Sequence, residues 1–157
     1  MGWLHQDARC PGVASRVRST VNGDALFMDK LVADIEFTLV LAGAEPATVS
    51  AQLTYDRADP YAVCVSFDAG RTERIEWTFA RDLLDQGLWL AIGDGDVRVW
   101  PRDGTVVMAL CSPTGKAILE TPRHCIAEFI RRSQLIVAVG SEGDYIDVDR
   151  DLASLLA

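Results

Sequence analysis

The sequence predicts an α+β domain, with antiparallel β-sheets and C-terminal helices packed on them. Three observations carry this. Alternating apolar segments recur from Ile35 to Glu120 and describe about seven strands. Within Trp77–Leu84 the apolar spacing changes from two to helical. After Thr121 two segments place their apolar residues at helical spacing. The chain has 157 residues, 49% of them hydrophobic and 24% charged, which fits one ordinary globular domain rather than a disordered chain.

Residues 1–30 mix Gly, Arg, Ser and Asp without clear periodicity. They are read as an extension, flexible or helical around Ala25–Lys30, with a single domain over 31–157. Ile35, Phe37, Leu39 and Leu41 alternate with Asp34, Glu36 and Thr38 as in a half-solvated strand. Ala42–Pro46 turns the chain into a second strand carrying Val49, Ala51, Leu53 and Tyr55, antiparallel because the connection is short. The Asp56–Pro60 turn leads to Tyr61, Val63, Val65 and Phe67, and Ala69-Gly70 closes a hairpin into Glu73–Phe79. There Ile75, Trp77 and Phe79 are expected to be buried.

Ala80–Gln86 reads as a short helix with Leu83 and Leu84 inward, and Gly87 stands where a left-handed C-terminal cap is expected. The apolar run Leu88–Ile92 ends at Gly93-Asp94-Gly95-Asp96. Val97 to Trp100 begins another strand, turned at Pro101–Gly104. Thr105–Cys111 is almost wholly apolar, as a central strand covered on both faces would be. The Ser112–Gly115 turn precedes a last strand over Lys116–Glu120. Thr121 and Pro122 suit the N-cap and first position of a helix. That helix sets Ile126, Phe129, Ile130 and Ser133 on one face, opposite Arg123, Glu128, Arg131 and Arg132. Beyond a break at Gly140–Asp144, Asp147–Leu156 reads as a second amphipathic helix with Leu152, Leu155 and Leu156 inward.

The formal net charge of −8, with pI near 4.6, argues against nucleic acid as a partner. No apolar run approaches a membrane span, and the N-terminus lacks an apolar signal-peptide core, so the cytoplasm is the expected compartment. Cys10, Cys64, Cys111 and Cys125 form no CxxC pair and are read as reduced cysteines.

No catalytic apparatus is recognisable. His124 would stand in a helix's first turn, where the dipole disfavours the imidazolium a general base must become. Gly140-Ser141-Glu142-Gly143 is one residue short of a nucleophile elbow. Gly115-Lys116 lacks the glycine-rich nest of a phosphate loop. Asp147, Asp149 and Asp151 imitate a calcium loop, but Leu152 replaces its glycine, so the acids are read as helix N-terminal charge. No cofactor or metal is expected. Trp89, Arg98 and Trp100 surround the Gly-Asp-Gly-Asp turn and are the candidate partner contacts, since Trp and Arg are common interface anchors. The competing reading puts both tryptophans in the core.

Four segments together resemble one family. Asp59-Pro60-Tyr61-Ala62-Val63, the Trp77–Leu84 block, Gly95–Pro101 and Ser112-Pro113-Thr114-Gly115 occur in the order found in the SsgA-like sporulation and cell-division proteins of actinomycetes, nearest their SsgB-type branch. The resemblance runs from about Ile35 to the C-terminus, and the first thirty residues depart from the family pattern. It implies a non-enzymatic, cytoplasmic protein at the division septum that helps to localise or recruit the tubulin-like FtsZ and works with an SsgA-type paralogue. It also implies a Whirly-like fold and a homotrimer. Because Whirly-like folds are associated with single-stranded nucleic acid, a nucleic-acid binder is the alternative function, which the acidic charge opposes.

Overall fold

In the computed structural model, which describes residues 29–68 and 74–156, the chain begins with β1 (Lys30–Val40), β2 (Ala47–Asp56), β3 (Ala62–Phe67) and β4 (Ile75–Ala80). Then come α1 (Arg81–Gly87), β5 (Val97–Arg102), β6 (Thr105–Ser112) and β7 (Gly115–Pro122). They are followed by α2 (Arg123–Ile136), a 3-10 turn (Glu142–Tyr145) and α3 (Val148–Leu156). The strands form one antiparallel sheet in the order β4-β3-β2-β1-β7-β6-β5. Two meanders, β1–β4 and β5–β7, meet where β1 pairs with β7 through Thr38–Glu120, Leu39–Leu119 and Val40–Ile118. The α+β expectation holds, with a single sheet in place of several.

Alternation sets the inner face. Leu31, Ala33, Ile35 and Phe37 of β1 are buried together with Ala51, Leu53 and Tyr55 of β2 and Val63, Val65 and Phe67 of β3. Thus β1 begins earlier than its Asp34–Leu41 pattern shows, and Leu41 lies exposed beyond its end. The β6 run Val106–Leu110 is buried on both faces, as its continuous apolarity requires. Asp103 and Gly104 both have positive φ (46° and 80°), the backbone of a two-residue hairpin whose twist matches the strands it joins. Pro101 is accommodated because β5 is an edge strand.

The helices cover one end of the inner face. Ile126, Phe129 and Ile130 of α2 enter the core, and Leu84 of α1 is fully buried beside half-buried Leu83. Helix α3 forms over the expected residues, but none of its side chains is buried. Leu152, Leu155 and Leu156 are 50%, 81% and 86% exposed, which overturns the inward placement. The Asp147 carboxylate accepts the Arg150 N–H at 3.0 Å, so the acidic run does cap the helix.

Four further expectations are corrected. Gly87 is not a left-handed cap: the positive-φ glycines among the described residues are Gly43, Gly93, Gly104 and Gly140. It closes α1 because a Cβ there would stand 2.7 Å from Val99 Cβ, so the helix can lie on β5 only without one. Thr121 is not the N-cap of α2. It lies within β7 with its hydroxyl donating to Glu36 O at 3.0 Å, and Pro122, the last residue of the strand, takes the cap position. Ile75, at the open end of edge strand β4, is exposed, while Trp77 is half-buried and Phe79 buried. Cys64 and Cys111 are free, but Cys125 is disulfide-bonded, contrary to the reduced reading. Cys10, residues 1–28 and the Ala69-Gly70 hairpin turn lie outside the described residues.

Candidate functional site

The connection from α1 to β5 holds the three candidate contacts, and the structure divides them. Trp89 follows the end of α1 and is 70% exposed, which excludes a core role. The Arg123 guanidinium, from the first turn of α2, lies 3.9 Å from its ring centroid. Leu90 beside it is also exposed, so Trp89, Leu90 and Arg123 form an apolar platform with a cation on top. Arg98 and Trp100 project from the β5 face opposite Val99, whose side chain meets α1. Arg98 is exposed, and its Nε donates to Gly93 O at 3.2 Å. Trp100 is half-buried and pairs with Val107.

The turn between them is fixed by backbone. Gly93 has φ 95°, and a Cβ there would stand 3.2 Å from both Arg98 Cα and Leu83 Cδ1. Ile92 and Val99 exchange backbone hydrogen bonds at 2.9 and 3.0 Å, so the outer edge of β5 is already occupied at Val99. The sequence grouped Arg98 with Trp89 and Trp100 only as candidate partner contacts around the turn, and the structure does not put Arg98 on the Trp89 ring. Folding instead supplies Arg123, whose approach depends on how α2 packs and leaves no local pattern.

A second constellation had no signal in the sequence. Arg81, 2% exposed, donates from Nη2 to Glu142 Oε1 at 2.8 Å and from Nη1 to Val137 O at 2.8 Å and Ser133 O at 3.3 Å. Its guanidinium also lies 4.8 Å from the Tyr55 ring centroid. Helix α2 has no basic residue in its last turn, and Arg81 supplies the positive charge there from another element. Glu142 Oε2 accepts the Gly140 N–H at 2.7 Å. Backbone N–H groups, its own first, together with Arg81 lower the Glu142 pKa despite desolvation. The arrangement joins the start of α1, the end of α2 and the 3-10 turn. Among the described residues, no three His, Cys, Asp or Glu side chains are placed to hold a metal ion.

Residues 49–142 match the family model described as Streptomyces sporulation and cell division protein, SsgA. The chain is 43% identical over 132 residues to the sporulation-specific cell division protein SsgB of Frankia casuarinae, covering 82% of this chain and 92% of that one. Against SsgB of Streptomyces coelicolor it is 43% identical over 128 residues, covering 79% and 93%.

The chain belongs to the SsgA family.

The solved structures agree. An SsgB structure superposes with TM-score 0.71 at 40% identity, covering 74% of this chain and 95% of that one; mutations in that SsgB correlate to longitudinal cell division during sporulation of Streptomyces coelicolor. An SsgA-like sporulation-specific cell division protein from Thermobifida fusca superposes with TM-score 0.72 at 36% identity, covering 80% and 94%. The fold is therefore that of SsgA-family proteins of SsgB type, and these matches leave the Whirly-like comparison untested. The relatives are named as cell division proteins, which supports a role in sporulation cell division for this SsgA-family chain. Among its described residues no helix is long and apolar enough to cross a membrane.

Charge in this SsgA-family domain predicts a stability profile that falls at both pH extremes. Hydrogen bonds from Arg131 and then Arg132 lower the Glu128 pKa from 4.5 to about 2. A folded pKa depressed in this way contributes stability above pH 4.5 that is lost as pH falls toward 2. Glu142 shifts in the same direction. Burial raises Tyr55 from 10.0 to about 12, and its hydroxyl donates to Pro60 O at 2.9 Å. Its contribution is full below pH 10 and lost as pH rises toward 12. Thermal melts should show a plateau between these windows. A melting temperature constant from pH 2 to 12 would contradict the assignment.

Proposed function

We propose that this protein is a non-enzymatic regulator of sporulation-specific cell division, acting in the cytoplasm at the septum. It helps to localise or recruit FtsZ through protein–protein contacts and works with an SsgA-type paralogue as a homo-oligomer, a trimer by family resemblance. The observation that carries the reading, given the family, is the Trp89 platform. A largely exposed tryptophan braced by Arg123 and flanked by Leu90 is the kind of anchor that dominates protein interfaces. Arg98 and Trp100 give the other side of β5 a second contact of the same chemistry.

Co-sedimentation with FtsZ polymers tests it. The wild-type protein should pellet with polymer, and Trp89→Ala should weaken that binding about tenfold or more while leaving the melting temperature unchanged. No binding by the purified oligomer would count against direct recruitment. The nucleic-acid alternative needs an unbroken basic stripe, yet on the outer sheet face Asp34, Glu36 and Glu76 stand among Arg98, Arg102 and Lys116.

A further inference from the structure

We propose that the outer face of strands β1–β3 carries a site for the guanidinium of an arginine presented by a partner protein. Alternation places Asp34 and Glu36 of β1, Ser50 and Gln52 of β2 and Ser66 of β3 on this face, opposite the core residues between them. The register sets them in two rows, Glu36 beside Ser50, and Asp34 beside Gln52 beside Ser66. All five line a cavity of about 290 Å³, bounded on the β3–β4 side by Asp68 and Arg74. That volume lies just under the roughly 300–1,000 Å³ of pockets for drug-sized ligands, and it suits one long side chain.

Ser66 points to a polar occupant. It is 9% exposed although it lies on the outer face, and among the described residues its hydroxyl makes no hydrogen bond. A buried polar group without a partner is uncommon and calls for one. The groups around it are acceptors. Gln52 Nε2 donates to Asp34 Oδ1 at 3.0 Å, which leaves Gln52 Oε1 and Asp34 Oδ2 for an incoming donor. Among the described residues neither Asp34 nor Glu36 forms an ion pair, and Arg74, the cation on the rim, is itself exposed.

The spacing selects the kind of cation. Asp34 and Glu36 lie two residues apart along one strand, about 7 Å between Cα atoms. No three His, Cys, Asp or Glu side chains among the described residues are placed to hold a metal ion. An ammonium is a compact point charge, whereas a guanidinium spreads five N–H donors over a plane and can meet two carboxylates and a hydroxyl together. The acidic walls also choose its source, because a free arginine would bring its own carboxylate against Asp34 and Glu36, and an arginine within a chain brings none. The net charge of −8 draws a basic segment toward the domain. This site lies on the β1–β4 meander, apart from the Trp89 platform beside β5, and it adds a contact of different chemistry.

An NMR titration of the isotopically labelled full chain with N-acetyl-arginine amide tests the site. The amide signals of Ser50, Gln52 and Ser66 should shift saturably, and N-acetyl-lysine amide, spermidine and free arginine should each bind more weakly. Asp34→Asn/Glu36→Gln should weaken binding about tenfold or more, through loss of charge-assisted hydrogen bonds. Ser66→Ala removes no charge and should weaken it about threefold or more, and Arg74→Ala should tighten it. No saturable shift with the arginine amide would overturn the site, as would equal binding of the lysine amide or spermidine. Affinity unchanged in the acid or serine variants would overturn it too. Free arginine binding as tightly as its blocked amide would overturn the assignment to a protein partner.

Discussion

Replacing Arg81 with alanine should destabilise the domain by about 3–5 kcal/mol, the range expected when one partner of a buried ion pair is removed. The substitution leaves the Glu142 carboxylate without its guanidinium, takes the Arg81 hydrogen bonds from the Val137 and Ser133 carbonyls at the end of α2, and removes the cation from the Tyr55 ring. Urea unfolding is the measurement: the midpoint should fall with little change in slope. Glu142→Gln should cost less, because the amide oxygen still accepts from Arg81. Arg81→Met with Glu142→Met should recover part of the loss, since an apolar pair of similar volume avoids a stranded charge. Unchanged stability in the alanine variant would show that the constellation contributes nothing.

Gly87→Ala is expected to destabilise by about 1–3 kcal/mol, the usual cost of forcing extra volume into a packed core. Helix propensity alone predicts the opposite sign, because alanine is the better helix former by about 1 kcal/mol. The close approach decides it. The new methyl would stand 2.7 Å from Val99 Cβ, and Val99 is fully buried on β5 and cannot swing away. Val99→Ala should be costly alone, yet the double variant should be more stable than the two single losses predict, giving a favourable coupling in a double-mutant cycle. Additive losses would place the strain elsewhere.

The strands were legible because alternation and turn chemistry are local. The β1 acids Asp34 and Glu36 face outward between buried Ala33, Ile35 and Phe37, and the wholly apolar β6 is covered on both faces. What escaped depends on distance in sequence. Gly87 carries two local meanings, cap or close approach, and only the position of Val99 chooses between them. Leu152 and Leu155 have the periodicity of a buried face, but amphipathicity says that a face wants cover and not which chain supplies it. Of the candidate contacts, Trp89 stood out by type, whereas its companion Arg123 arrives from another helix. Arg81 and Glu142 lie 61 positions apart, and nothing near either one marks the pair.

The narrow seam between the two meanders has a kinetic consequence. Within β1–β4 and within β5–β7 every strand pairs with its neighbour in sequence, so both halves can assemble from short-range hairpins. The three β1–β7 pairs and the Thr121–Glu36 hydrogen bond, which spans 85 positions, must close a long loop before they return any stability. Closure of that loop, rather than hairpin formation, should set the pace at which the complete sheet appears, and refolding rates that respond to hairpin variants but not to Thr121→Val would contradict this.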